Sequence, residues 1–452
     1  MISKPFQTLF AATASALVLS ACTSFNLTQH STSSELVTDP SAPFPDYSTE
    51  ATGPDFDAAK VAALEARMQQ FVTDGDVNGI ATLLIKDGLV ISHTDAGIRR
   101  AADMAPITED TIYRIYSMTK PITGVALMTL YEDGKFELDD PVSKYIPEFE
   151  KLTVVKTYEA DGSYALVPLK RQPTMRELMS HTAGFGYGLF GDDPSNKAFQ
   201  SKQILASPDM QSFIDKVATV PLMFEPGERW FYSSAVDIQG AIVERLSGMT
   251  FGDYLESELF DPLDMDDTAF FLADEKYDRF SDVFGYDPET GKMEPISSPT
   301  VAFRKETVAM ESGGAGLTST LADYARFCQM LANGGEVDGS RILMPETIEL
   351  MRTNVLTGNQ KVDIGGTLSP AESQSFGFGL DFAIIRNIGS GPEIQGDGTY
   401  FWGGAAGTWF WIDPVNNLYF IGMIQQFPRR DAQQTDFRNI SAKMVYDALN
   451  TK

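Results

Sequence analysis

Ser117-Met118-Thr119-Lys120 sets a hydroxyl and an amine one helical turn apart, where a short β-rich run gives way to a helical pattern. Residues three apart on a helix share a face, so the lysine could take the serine's proton and make it a nucleophile for acyl transfer. That chemistry does without histidine, of which the chain has three. A serine followed by a lysine three residues on is a weak pattern; it occurs once here, about as often as chance supplies it, so its neighbours must carry the argument. Free lysine titrates near ~10.4, and a lysine that acts as base near neutral pH needs burial and nearby positive charge worth about 4 kcal/mol. The N-terminus of the helix behind Ser117 adds partial positive charge where an oxyanion would form.

Two further places hold groups that could join this serine. Tyr232, in Arg229-Trp230-Phe231-Tyr232-Ser233-Ser234, could pass protons if its phenol is acidified; as an isolated tyrosine among aromatics it also fits a core or rim position. Trp402-Gly403-Gly404-Ala405-Ala406-Gly407-Thr408 opens a strand pattern, and glycines there mark close approach of a ligand or of another backbone, or a bulge. A bare backbone edge could give an N–H to an oxyanion. His181 follows a short helix at a Gly-bounded turn and is read as structural. No G-x-S-x-G occurs, which argues against an α/β-hydrolase nucleophile elbow. The histidines have no paired spacing, so neither a metal nor another cofactor is expected.

These residues need elements to hold them. Positions 61, 64, 68, 71 and 72 form a helical stripe within Phe56 to Val72, and two apolar runs flank Asp87-Gly88 as in a hairpin. A helix runs from Pro121 to Tyr131, and an inserted hairpin is expected from Leu152–Thr157 and Tyr164–Leu169. Thr174-Met175-Arg176-Glu177 has the form of a capping box. Helical patterns recur at Val236–Leu246, Phe251–Phe260 and Thr320–Leu331. Strand patterns follow at Phe376–Ile385, Tyr400–Asp413 and Leu418–Gln426, and a terminal helix spans Thr435–Leu449. This order predicts an α+β fold: an α/β lobe from residues 56–120 and 300–452, a mostly helical lobe from 121–299, and a site at their junction. Loops at Phe185–Asp193 and Phe303–Met310 are expected to line the cleft.

Composition narrows the partners. The 452 residues, 43% hydrophobic and 11% aromatic, are ordinary for a globular chain. With 62 acidic and 35 basic residues the formal charge is −27, which repels nucleic acid and anionic lipid and suits an acidic, solvated surface. Residues 1–21 read as an address: Lys4, an apolar run from Phe6 to Leu19 too short to span a bilayer, then Leu19-Ser20-Ala21-Cys22. Those four residues resemble the lipobox of bacterial lipoproteins, in which the cysteine carries the lipid. The alternative is a secretory signal cut near Ala21, giving a soluble periplasmic or secreted protein. Residues 22–55 read as a flexible tether to a periplasmic-side envelope anchor. Cys22 and Cys328 are the two cysteines, so a lipidated Cys22 leaves no disulfide within one chain.

From about Phe56 to Leu449 the chain resembles a superfamily that contains class C serine β-lactamases, D-alanyl-D-alanine peptidases and, most closely, family VIII carboxylesterases. Tyr113 to Lys120 carries the first motif and Tyr232-Ser233-Ser234 the second; Trp402-Gly403-Gly404 stands where the penicillin-recognising enzymes have Lys-Thr-Gly. Glu177 to Gly184, Pro226-Gly227-Glu228 and Ser312 to Leu317 support the match. The resemblance implies a β-lactamase/transpeptidase-like antiparallel sheet flanked by helices. It implies Ser117 as nucleophile, Lys120 and Tyr232 as the proton-transfer pair, an oxyanion hole from the N–H groups of Ser117 and Ala405, and an acyl-enzyme. Ser234, Trp402, Gly403 and Gly404 are the expected substrate contacts. Two departures stand out: Ser234 replaces an asparagine, and Trp402 replaces a lysine that helps hold a substrate carboxylate. An indole N–H gives one hydrogen bond and no charge, so a small, neutral ester is the expected substrate, with slow β-lactam hydrolysis as a side activity. The alternatives are a β-lactamase, a D-Ala-D-Ala carboxypeptidase or an aminopeptidase, and a non-catalytic envelope binding protein on the same fold.

Overall fold

The hairpin at Asp87-Gly88 is the seed of the main sheet. In the computed structural model, which describes residues 55–449 apart from 288, 297–307, 309, 359, 364–374, 387–394 and 428–434, helix α1 (Ala58–Thr73) leads into β1 (Gly79–Lys86) and β2 (Leu89–Arg100). Asp87 and Gly88 have φ of 53° and 77°, the two positive values that a two-residue turn matched to strand twist requires. Asp57 caps α1 by accepting from the N–H groups of Ala59 and Lys60, and the helix buries Val61, Leu64, Met68 and Phe71, the stripe its spacing predicts.

After the short edge strand β3 (Ala105–Pro106), the rest of the sheet comes from the far end of the chain: β4 (Phe376–Phe378), β5 (Ala383–Ile385), β6 (Tyr400–Gly403), β7 (Trp409–Asp413) and β8 (Leu418–Ile424). The order is β4-β5-β6-β7-β8-β1-β2-β3 and every neighbouring pair is antiparallel. β1 therefore pairs with β8, Leu84 opposite Phe420, and the two chain ends meet in mid-sheet. Helices α2 (Thr119–Glu132), α3 (Ala235–Ser247), α4 (Leu321–Ala332) and α5 (Phe437–Ala448) follow in chain order. α2 packs on α3, α4 covers β8, and α5 lies on α1. This is the expected fold class: an antiparallel sheet from both ends, flanked by helices, with a mostly helical insertion.

Several boundaries differ from expectation for local reasons. The strand expected at Phe376–Ile385 is two strands, because the chain turns at Asp381, whose φ is 62°. The one expected at Tyr400–Asp413 is also two: the N–H of Gly404 closes a turn on the carbonyl of Thr408 at 2.7 Å. The inserted hairpin spans Thr153–Tyr158 and Tyr164–Pro168. The terminal helix starts at Phe437 because Asp436 caps it. Residues 1–54, the expected signal and nearly all of the tether, and most of the Phe303–Met310 loop lie outside the described residues. No helix among the described residues is long and apolar enough to cross a membrane.

Candidate active site

Ser117 is the middle residue of a 3₁₀ turn, Tyr116–Met118, that runs straight into α2. Tyr116 has φ of 44°, a left-handed conformation that a β-carbon disfavours, so strain is stored beside the serine. Neighbouring segments hold it there. Arg114 pairs with Thr318, the N–H of Ile115 donates to the Leu317 carbonyl at 3.2 Å, and Thr408 Oγ1 donates to the Ile115 carbonyl at 3.3 Å. A β-carbon on Gly404 would stand 2.3 Å from the Ile115 oxygen and 2.2 Å from Thr408 Oγ1. Gly404 thus serves the approach of another backbone, the one that carries Ser117.

Lys120, 1% exposed, turns its amine back toward the serine from the first turn of α2. Nζ donates to Ser117 Oγ at 3.2 Å, to the Tyr187 hydroxyl at 3.1 Å and to the Gly314 carbonyl at 2.7 Å. Three acceptors match the three protons of an ammonium. Burial is as the chemistry asked, but the neighbourhood holds acids where positive charge was expected: the Lys120 charge acts on Asp237 and Asp381, both fully buried. Burial pushes both carboxyls above the usual carboxylate range, Asp381 well above it, and the Lys120 charge pulls each back down.

The Tyr232 hydroxyl donates to Ser117 Oγ at 2.8 Å. Its ring is caged by Trp230, stacked at 6.2 Å, by Tyr187 at 5.5 Å and by His181 at 5.2 Å, and Lys120 Nζ lies 4.6 Å from the ring centre. His181 makes no hydrogen bond to Ser117. Its Nδ1 accepts from the N–H of Ser233 at 3.2 Å, and burial holds its pKa well below the usual histidine value, the Lys120 charge adding to this. It is a neutral brace for the tyrosine segment.

Ser234, expected at the substrate, is fully buried, and its Oγ donates to the Gly186 carbonyl at 3.0 Å, which clamps the Gly184–Gly188 segment to the start of α3. Trp402 is 1% exposed and packs 5.4 Å from the Tyr232 ring and 5.6 Å from Phe378; its Nε1 has no hydrogen-bond partner among the described residues. The indole props Tyr232 from behind and does not present its N–H to a ligand. Gly403 is a buried strand residue opposite Trp409. Ala405 lines the cavity at Ser117, and its N–H makes no hydrogen bond within the described residues.

That cavity, about 220 Å³, has one polar wall, of Ser117, Tyr187, Tyr232 and Asp237, and apolar walls that include Leu189, Leu205, Phe271, Phe280 and Phe427. Its basic side chain, Arg114, donates to the Ser281 carbonyl at 2.7 Å and stacks 3.9 Å over Phe280. A larger cavity, about 570 Å³, shares Phe270, Phe271 and Leu272 with it and is lined by Glu244, Asp253, Glu256 and Glu311, with no serine–amine pair. Among the described residues no group of three or more His, Cys, Asp or Glu could hold a metal ion. Two site residues escaped sequence reasoning. Tyr187 sits in Gly184-Phe185-Gly186-Tyr187-Gly188, whose glycine spacing flags a tight loop without telling which ring points inward. Asp237 is an acid one turn into an apolar helix, a position that reads equally well as a helix-start charge.

A β-lactamase family model matches residues 64–443. Esterase EstB of Burkholderia gladioli is 29% identical over 395 residues, covering 82% of this chain and 92% of that protein. EstCE1, described as a hydrolase with promiscuous acyltransferase activity, superposes with a TM-score of 0.69 at 25% identity, over 86% of this chain and 99% of that one. Unliganded simvastatin synthase (LovD) from Aspergillus terreus shares the fold, with a TM-score of 0.72 at 22% identity, over 86% and 98% of the two chains.

Proposed function

The chain belongs to the β-lactamase family, and from that premise we propose that it is a serine hydrolase cleaving small, neutral carboxylic esters through an acyl-enzyme on Ser117. The observation that carries this reading is the double contact on Ser117 Oγ, from Tyr232 at 2.8 Å and Lys120 at 3.2 Å, beside a mostly apolar cavity. In the proposed cycle Oγ attacks the ester carbonyl while its proton passes to the Lys120–Tyr232 pair. The oxyanion is met by the N–H groups of Ser117 and Ala405. The pair returns the proton to the departing alcohol, and water then attacks the acyl carbon by the reverse proton route. EstB's name supports an ester substrate. Arg114, the cavity's basic side chain, is already engaged with Ser281 and Phe280, which leaves little to hold a substrate carboxylate.

Processed protein assayed on nitrophenyl esters of short and long acyl chains, a chromogenic cephalosporin and a D-Ala-D-Ala peptide tests the substrate class. Short-ester turnover is expected to exceed the rest. Cephalosporin turnover above ester turnover would overturn the choice, and inertness throughout, with Ser117 unlabelled by a fluorophosphonate, would favour a binding protein on this fold. A second reading has support in EstCE1: the acyl group passes to an alcohol instead of water, and added butanol then yields a butyl ester. The proposal extends to export and lipid attachment at Cys22, resting on residues 1–22 alone. Labelled palmitate should enter the wild-type protein in cells and not Cys22→Ala.

A further inference from the structure

Lys120 is held by a carbonyl whose own place is fixed by an acid. Asp237, in the first turn of α3, is 1% exposed. Its Oδ1 accepts from Ser312 Oγ at 2.5 Å and from the N–H of Gly314 at 3.1 Å, and the carbonyl of the same Gly314 accepts from Lys120 Nζ at 2.7 Å. The fit is close: a β-carbon on Gly314 would stand 2.6 Å from Asp237 Oδ2. That Oδ2 has no hydrogen-bond partner among the described residues, although Asp237 lines the Ser117 cavity. A buried carboxylate oxygen without a hydrogen bond is costly unless a nearby charge offsets it, and Lys120 is the cation that acts on Asp237.

We propose that Asp237 is the positioning residue of the serine–lysine pair: through Ser312 and Gly314 it fixes the carbonyl that holds Lys120, and its negative charge favours the ammonium form of that lysine. The inference rests on the reading of Ser117 as nucleophile and adds where on the pH scale that nucleophile is released. The other groups that face Lys120 are Tyr187 from the Gly184–Gly188 segment, Tyr232 ahead of α3, His181 behind Tyr232, and Asp381 from the turn between β4 and β5. Asp381 takes a hydrogen bond from Gln239 at 3.0 Å and has no tie to Gly314, and burial disfavours its charge more strongly than that of Asp237. The geometric role therefore falls to Asp237.

An opposite charge stabilises an ammonium, so removing it lets Lys120 give up its proton at lower pH. The test uses the full chain and two readouts: the pH profile of kcat/KM on nitrophenyl butyrate, and the ¹⁵N resonance of Lys120 Nζ in lysine-labelled protein, assigned with Lys120→Arg. In Asp237→Asn both the rising limb and the Nζ titration should move to lower pH, and the maximal rate should fall several-fold. Ser312→Ala, which cuts one tie and no charge, should lower the rate several-fold and leave the limb in place. A folded Asp237→Asn whose limb and Nζ titration both coincide with wild type would overturn the charge role, and Ser312→Ala at full rate would overturn the positioning role. Should the protein turn over no ester, a shifted Nζ titration in Asp237→Asn still upholds the charge role while the ester reading fails alone.

Discussion

The first and third motifs lie on two sides of one tyrosine and are built in opposite ways. On the front, Ser117, Tyr187 and the Gly314 carbonyl form a hydrogen-bonded knot around the Lys120 amine, and the Tyr232 hydroxyl joins it by donating to Ser117. On the back, Trp402, Trp230 and His181 give the same ring an aromatic bed with almost no polar exchange. One wall is polar and hydrogen-bonded; the other is aromatic. The Trp402 side chain, expected to meet a ligand, instead supports the Tyr232 ring. On the proposed reading, the groups that would open a carbonyl sit on the front wall alone, and the back wall can vary without touching them.

Substitutions on the two walls should separate cleanly. Ser117→Ala should lower ester kcat by roughly 10⁴-fold or more, to background, with an unchanged melting temperature. Next come Lys120→Ala and Tyr232→Phe, each expected to cost about 10² to 10⁴-fold in kcat with little change in KM, read by steady-state kinetics. On the back wall, Trp402→Ala should cost about 3–5 kcal/mol of stability by denaturant unfolding, the penalty of a large emptied core site. Trp402→Lys should give no gain on a carboxylate-bearing cephalosporin, since the side chain sits behind Tyr232; a gain would break the comparison by showing that this wall faces the ligand.

The smallest effect is expected at His181. His181→Gln should keep ester turnover within about tenfold, because the residue braces and does not transfer protons. Its signature is in stability. Burial depresses its pKa in the folded state, so below about pH 6.5 the unfolded chain takes up a proton that the folded chain refuses, and stability falls as pH drops. The variant should flatten that part of the melting temperature–pH curve.

The sheet and its helices were readable because their signals are local. The Asp87-Gly88 turn needs two positive φ values, and the stripe of α1 needs one buried face. The order of the three motifs also announced the site, since each lies at an element boundary. What stayed hidden depends on direction and on contacts distant in sequence. Whether Trp402 faces a ligand or a ring follows from strand register and from packing against a tyrosine 170 positions away, not from residue type. The hydrogen bonds that tie Asp237 to Lys120 pass through Gly314, across two separate excursions of the chain. The glycine at 404 signals a close approach or a bulge; that the backbone of Ile115 is what approaches is a fact of the fold.

The most direct test is to catch the acyl group. Wild-type protein mixed with nitrophenyl butyrate, quenched in acid within its first turnovers and digested for mass spectrometry, should carry a butyryl group on the peptide containing Ser117, and Ser117→Ala should carry none and release no nitrophenol above background. A butyryl group on another residue, or ester turnover undiminished in Ser117→Ala, would contradict the account.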